Sequence, residues 1–353
     1  MTVEHVRSLM GRYSVPLLLI MSPTDLRYVT GVGFSRGALL ITPSKALLVV
    51  DQRYALRAAA LQSLFEVAVL PVGASIYHVL DGALKEIQGP VCFDPTTMTV
   101  EAYEELCVHA PCRAAPELFA HLRRPKRPEE IQTIEKACDL CQKGFEYLYT
   151  QIREGVTEEE LVQALKLFWL AGGAEGVSFE PIIAFGPNSA CPHWAPSSTP
   201  LKNHSIILID IGVKNHSYHS DMTRTVFFGQ PDPQLLKWHD MVREAYGLAL
   251  AHARPNVLPV DLDRMVRDFL ASKGYKEAFL HGLGHGVGLE VHEAPRISPT
   301  AKEAAAFEVG DVIAIEPGLY VPEKGGVRIE NTVVVGPEGG RSLSSLSIEP
   351  LVL

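Results

Sequence analysis

The sequence predicts a two-domain chain of α/β (α+β) class, and three observations carry that expectation. Residues 1–122 alternate short apolar strands with helices. A Pro- and Arg-rich joint follows, Arg123-Arg-Pro-Lys-Arg-Pro128. Beyond it two long helical patterns give way, after Gly172, to β-rich segments punctuated by glycine and proline. A length of 353 residues carries a prior of about two domains. The expected boundaries are 1–122, a linker at 123–128, and a second domain at 129–353.

Leu17–Met21 reads as a strand, and Ser22-Pro-Thr-Asp25 has turn and N-cap character. Ala38–Thr42 and Ala46–Asp51 are strand-like, joined by a turn at Pro43-Ser-Lys45. Arg53 to about Gln62 is an Ala-rich helical pattern. Val91–Asp94 reads as another short strand, with a helix near Thr99–Val108. No residue cluster in this layer carries catalytic chemistry on its face. Pro128 with Glu129 and Glu130 suits a helix start, running to about Ile152. A second helix spans Thr157–Ala171, opened by the capping-box form Thr157-Glu-Glu-Glu160. Later helices are expected at Asp232–Ala253 and Asp261–Lys273.

The composition is ordinary globular, 47% apolar and 21% charged. A net charge of −9 argues against nucleic acid as a partner, which needs a basic face. The basic run at Arg123–Arg127 reads as a linker. Val15–Met21 is too short to span a bilayer, and the polar start Met1-Thr-Val-Glu is no targeting signal. The six cysteines lack zinc-finger spacing; Cys138-Asp-Leu-Cys141 falls on one face of a long helix and reads as core packing. Unpaired thiols fit a reducing cytoplasm.

The chemistry concentrates in the C-terminal half. Asp210 ends the apolar run Ser205–Ile211, and Asp221 opens Asp221–Phe228. A hairpin folded about Asn215 and His216 pairs 210 with 221 on one face. Directly opposed Cβ atoms lie roughly 4.5–5.5 Å apart, where two carboxylates repel unless a cation sits between them. Asp311–Glu316 and Gly326–Val335, around the turn Pro322-Glu-Lys-Gly-Gly326, repeat the figure with Glu316 and Glu330. A single such acid is more often a solvated strand end. Two acid-bearing hairpins beside a His-rich strand point to metal.

That strand is His281-Gly-Leu-Gly-His-Gly-Val-Gly-Leu-Glu-Val-His292. Glycine at 282, 284, 286 and 288 leaves one face bare, so that a metal cluster or substrate approaches the backbone closely. His281 and His285 share strand parity, and His285 is best placed as a ligand. Oxygen-rich donors with one imidazole suit Mn²⁺, Co²⁺, Fe²⁺ or Zn²⁺. His292 and His193 are candidate substrate-contacting groups. Arg328 shares a strand face with Glu330 and keeps the acids ionised and oriented, and Tyr320 donates in the same shell.

Together the motifs Asp-Ile-Gly, Asp-x-Thr-Arg-Thr, His-x-x-Gly-His-Gly-x-Gly-Leu-x-Val-His-Glu-x-Pro, Ile-Glu-Pro-Gly-x-Tyr and Arg-x-Glu-Asn-Thr resemble the pita-bread metallopeptidases. Within them the chain is most similar to the Xaa-Pro peptidases, aminopeptidase P and prolidase. Ser22-Pro-Thr-Asp-Leu-Arg-Tyr-Val-Thr-Gly31 and Asp51-Gln-Arg-Tyr54 look like the creatinase-type N-terminal domain of those enzymes. The resemblance implies a creatinase-type α/β domain followed by a pita-bread catalytic domain of antiparallel sheets flanked by helices. It implies two divalent metal ions per chain, manganese first, held by Asp210, Asp221, His285, Glu316 and Glu330. It further implies hydrolysis of the Xaa-Pro bond by a hydroxide bridging the two ions. Glu316 then shuttles the proton to the proline nitrogen, and His292 stabilises the oxyanion. His193 and His281 line the pocket, with Arg328 and Tyr320 outside them. A homodimer is implied as well.

The X-Pro bond is a tertiary amide without an N–H, so it calls for a dedicated site with an apolar wall; Phe185, Trp194 and Tyr218 are wall candidates. The rival readings are a methionine aminopeptidase-like exopeptidase and a non-catalytic binding protein on the same fold. The extra N-terminal domain and Arg328-Ile-Glu330 count against the first, and the complete ligand set against the second. Arg296 resembles a prolidase arginine that clamps the free carboxylate of a dipeptide. The choice between dipeptidase and aminopeptidase P stays open at this level.

Overall fold

The computed structural model describes residues 3–85, 89–301 and 305–353; Met1 and Thr2, where the polar start was read, lie outside them. The chain divides into two compact units, Met1–Arg123 and Arg124–Leu353.

In the first unit β1 (Leu17–Ile20), β2 (Gly37–Ile41), β3 (Ala46–Asp51), β4 (Glu66–Leu70), β5 (Val91–Phe93) and β6 (Cys112–Ala114) form one sheet. Its order is β4-β3-β2-β1-β5-β6, with β2 antiparallel to both neighbours and the other pairs parallel. Helices α1 (Val3–Arg12), α2 (Pro23–Thr30), α3 (Ala55–Ala59), α4 (Ile76–Lys85), α5 (Val100–His109) and α6 (Pro116–Leu122) surround it. Ser22 caps α2 by accepting from Asp25 N, and Gly31 ends the helix at φ 75°. The Ala-rich stretch from Arg53 is shorter than expected. Asp51 accepts from Arg53 N and tightens residues 52–54 into a 3₁₀ turn before the brief α3. Strand β4 and helix α4 were not foreseen, because β4 is a half-exposed edge with weak alternation.

The second unit opens with α7 (Pro128–Gln151) and α8 (Glu158–Ala171). The capping box at α8 is formed reciprocally, Glu160 N to Thr157 Oγ1 and Thr157 N to Glu160 Oε2. Then come β7 (Gly176–Val177), β8 (Ile182–Phe185), β9 (Ser205–Ile211), β10 (Val213–Asn215), β11 (Tyr218–His219) and β12 (Met222–Phe228). Helices α9 (Pro233–His252) and α10 (Pro259–Ser272) precede β13 (Gly284–Gly286), β14 (Glu293–Ile297) and β15 (Val312–Ile315). The last strands are β16 (Gly318–Val321), β17 (Gly325–Arg328), β18 (Asn331–Val335) and β19 (Gly340–Ser342).

Antiparallel sheets β12-β9-β8 and β14-β13-β15-β18-β19 dominate this unit. Strand alternation divides their apolar side chains between two cores. Ile207, Ile209, Ile211, Val312 and Ala314 pack with α7 and α8, whereas Ile313, Ile315 and Val333 pack with α9 and α10. Cys138 and Cys141 lie in the first of these cores, fully buried, as their helical spacing predicted. Burial pushes the Cys138 thiol up to about 12. In the basic stretch, Arg124 pairs with Asp311 and Lys126 with Glu293, all four side chains buried within the unit. No helix among the described residues is long and apolar enough to cross a membrane.

The first acid-bearing hairpin differs in register from expectation. Its turn is centred on His216 and Ser217, both at positive φ (46° and 68°), as a two-residue hairpin loop requires. Moving the turn by one residue slides the pairing by two, so Asp210 opposes Thr223 rather than Asp221. The side-chain face is unchanged by a two-residue slip, and Asp221 remains a diagonal neighbour of Asp210.

Candidate metal centre

Two hairpins meet where β12 touches β18. Thr223 and Glu330 bridge them, Glu330 N donating to Thr223 O at 3.1 Å. Pairs Ile315–Asn331 and Gly318–Arg328 share one register on either side of Glu316 and Glu330, which therefore face each other. Asp210 on β9 and Thr223 on β12 thus form a row with Glu330, at the β17–β18 junction, and Glu316, at the β15–β16 junction. Asp221 flanks the row from two residues before Thr223. Glu316 N donates to Leu283 O, which sets His285 on the same face, two residues further along.

The ligand atoms converge. Asp210, Asp221 and Glu330 form one group whose oxygens lie within 4.8 Å of one another; His285, Glu316 and Glu330 form a second, and Asp221, His285 and His292 a third. His285 Nδ1 donates to Gly286 O at 3.1 Å, so its Nε2 lone pair faces Asp221 Oδ2 at 3.5 Å and Glu316 Oε1 at 3.8 Å. The rings of His285 and His292 meet edge to face, with centroids 4.3 Å apart.

Burial first, then the neighbouring acids, pushes Asp221 and Glu316 well above the usual carboxylate range; the same causes raise Glu330 to about 8. Burial, and then His292, brings His285 down to about 4, leaving a neutral imidazole with a free lone pair. A cation bound among these carboxylates would reverse that logic and hold them ionised. Asp210 Oδ2 accepts from Arg328 Nη2 at 2.5 Å, while its Oδ1 is buried with no donor among the described residues. An orphaned buried carboxylate oxygen beside three more acids fits a cation site, and the all-oxygen-and-nitrogen donor set fits a hard or borderline divalent ion.

Arg328 is almost fully buried and links Asp210 to Tyr320, donating from Nη1 to Tyr320 Oη at 2.6 Å. Tyr320 passes the chain on to His281 Nε2 at 2.9 Å, and His281 Nδ1 donates to Gly282 O. Glu316 Oε2 lies 3.6 Å from that Nδ1. His281 is not on a strand with His285: β13 spans 284–286, and His281 is held by Tyr320 and Gly282 instead. The bare glycine face also serves another purpose than expected. A Cβ at Gly284 would lie 2.0 Å from Ala314 O and one at Gly286 2.1 Å from Ala294 O, so neighbouring strands, not ligands, fill that face.

His193 and His292 are both exposed beside the cluster. Arg296 sits on β14 directly opposite His285, hence on the same sheet face. Of the wall candidates, Phe185 lies in the α7–α8 core and Tyr218 packs on that core, its hydroxyl donating to Glu130. Trp194 is half-buried, with its indole N–H on Glu158.

Sequence reasoning missed the threonines. Thr223 Oγ1 donates to Glu330 Oε2 at 2.6 Å and accepts from Arg328 Nε at 3.1 Å. Thr332 Oγ1 accepts from Asp221 N, and Thr225 Oγ1 donates to Arg328 O. The alternation Thr223-Arg-Thr225 on a buried strand was the available signal. Arg224 points the other way, holding Glu330 O, Asn331 Oδ1 and the carbonyls of Leu346 and Ser347.

Residues 132–337 match the Metallopeptidase family M24, and residues 3–124 match the Creatinase/Prolidase N-terminal domain. The chain is 32% identical to an Xaa-Pro dipeptidase of Pyrococcus furiosus, over 99% of each protein. It is also 32% identical to an uncharacterised peptidase of Bacillus subtilis along the full length of both. Among solved structures, an Xaa-Pro dipeptidase from Bacillus anthracis superposes with a TM-score of 0.92 at 30% identity, over 99% of each chain. An X-Pro aminopeptidase from Thermotoga maritima gives 0.85 at 30% identity, over 98% of this chain and 100% of that one. The creatinase-type domain and the pita-bread sheets expected from the motifs are both present, and the chain belongs to metallopeptidase family M24.

Proposed function

We propose that the protein hydrolyses the Xaa-Pro bond, with dipeptides as its preferred substrates, using two divalent ions held by Asp210, Asp221, His285, Glu316 and Glu330. One observation carries the reading: the row Asp210–Thr223–Glu330–Glu316 sets buried Asp210 and Glu330 beside half-buried Glu316, with an orphaned oxygen on Asp210. Bound there, the ions supply Lewis-acid polarisation of the scissile carbonyl and acidify the attacking water.

The protein's own groups do the rest. Glu316 accepts the proton of that water and returns it to the proline nitrogen, which has no N–H and leaves only once protonated. His292, exposed beside His285, donates to the developing oxyanion. Arg328 fixes Asp210, and through Tyr320 it fixes His281 near Glu316. His193 and Trp194 border the entrance. Arg296, on the face of His285, binds the free carboxylate that only a dipeptide presents next to the proline ring.

Manganese is the ion assigned to this donor set; cobalt, iron and zinc suit the same oxygens and imidazole. A homodimer rests on the family resemblance. A cytoplasmic setting rests on six free cysteines.

The test is hydrolysis of Ala-Pro beside Ala-Pro-Ala after loading with Mn²⁺. Faster cleavage of Ala-Pro is expected. Cleavage of the tripeptide alone removes the dipeptide preference, and cleavage of neither overturns the reading.

A further inference from the structure

Glu158 is the first residue of α8, where an acid ordinarily stays in water and faces its own helix dipole. Here it is completely buried. Its Oε1 accepts from Phe185 N and Asn188 Nδ2, each at 2.8 Å. Its Oε2 accepts from Trp194 Nε1 and Ser197 N, each at 2.9 Å, and from Ser197 Oγ at 2.8 Å. Burying a carboxylate is costly unless it is well bonded, and five donors is an unusually full set.

All five donors come from one segment. Between the end of β8 at Phe185 and the start of β9 at Ser205 the chain has only a 3₁₀ turn at 186–190 as regular structure. A connection of that length in a packed unit needs anchors. The opposite side of the segment has its own. Ser189 Oγ accepts from Gly326 N at 2.8 Å, and Pro192 O lies 3.5 Å from Arg328 Nη2. The two anchor systems converge on His193. Its preceding residue touches the guanidinium that binds Asp210, and its following residue is bonded to Glu158. His193 itself stays exposed, close enough to His281 and His292 to add a lesser electrostatic contribution to shifts that their burial dominates.

We propose that Glu158 is a positioning residue: its buried carboxylate gathers the 185–197 segment and so fixes His193 at the entrance of the metal centre. The proposal rests on the reading of His193 as a substrate-contacting group. Glutamine cannot replace Glu158, because its amide NH₂ would meet N–H or O–H donors in either orientation.

The experiment is a double-mutant cycle on Mn²⁺-loaded protein with Ala-Pro as substrate, joined to NMR of the His193 ring in metal-free protein. Glu158→Gln is expected to lower kcat/KM roughly ten- to a hundredfold with His193 present, the scale of a displaced positioning group. In a His193→Ala background the same change should cost less than about threefold, because the two act through one contact. In metal-free protein the His193 ring signal should broaden or split in Glu158→Gln, while the Mn²⁺-loaded variant binds as many ions as the loaded wild type. Trp194→Phe removes one of the five donors and keeps an aromatic side chain; it should show the same non-additivity in smaller measure if Glu158→Gln fails to fold.

Equal losses in both backgrounds, or an unchanged His193 signal, overturn the inference and leave the peptidase reading standing. If His193→Ala alone is neutral, the role given to His193 is wrong and the inference falls with it. If the wild type cleaves no Xaa-Pro peptide, the peptidase reading falls, and the ring signal alone decides whether Glu158 positions His193.

Discussion

Thr223 joins the two halves of the metal centre to each other: its backbone exchanges hydrogen bonds with Glu330, and its hydroxyl donates to the Glu330 carboxylate at 2.6 Å. That hydroxyl also accepts from Arg328, which holds Asp210. One side chain therefore orients an acid on each hairpin.

Thr223→Val keeps the shape and removes both bonds. We expect Mn²⁺ affinity to fall roughly ten- to a hundredfold, the usual cost of losing a group that orients a ligand. Titration calorimetry on the metal-free protein measures it. Unchanged affinity would show that the hydroxyl is dispensable.

Glu316→Gln removes the proton carrier and the charge of one metal ligand while keeping the side-chain volume, so turnover is compared at equal bound Mn²⁺. Turnover of Ala-Pro should fall at least about 10²–10⁴-fold, the range of general acid–base catalysis. The far-ultraviolet circular dichroism should match the wild type. Residual activity within a factor of a few would assign the proton transfer to another group.

Arg296→Ala should separate substrates by their carboxylate. Hydrolysis of Ala-Pro is expected to fall roughly ten- to a hundredfold, the worth of one charge-assisted bond. Ala-Pro-amide, which lacks the carboxylate, should be cleaved equally by both proteins. Equal losses on both substrates would contradict the clamp.

His239, on α9, is buried with Nδ1 unpartnered among the described residues, and burial lowers its pKa to about 4. Unfolded histidine titrates near 6.5. Between these values the unfolded chain binds more protons, so stability is lost as pH falls from about 6.5 to about 4 and is level on either side. The full contribution is on the order of 3 kcal/mol. His239→Gln should flatten that part of the urea-midpoint profile. Parallel profiles for the two proteins would show that His239 does not titrate there.

The acids were legible because strand parity survives an error in register. Asp210 and Asp221 stay on one face whether the turn centres on residues 215–216 or 216–217. The turn itself was not legible, since His216 and Ser217 are unusual residues at positive φ. The glycines of β13 were visible, but their reason lies in carbonyls of other strands. Glu158 was hidden for a related cause. It sits inside a capping motif that explains it locally, while its five donors, on four residues, lie 27 to 39 positions away. Edge strand β4 escaped because a half-exposed edge shows no clean alternation.

The central claim is that the five ligands hold two ions and that peptide cleavage depends on them. Native mass spectrometry of the Mn²⁺-loaded protein, paired with Ala-Pro turnover before and after chelation, tests it most directly. Two ions per chain are predicted, with turnover lost on chelation and restored by Mn²⁺, and neither occupancy nor turnover in Asp221→Asn. Ala-Pro cleavage that persists without bound metal, or a loaded protein that holds two ions in Asp221→Asn, would contradict the account.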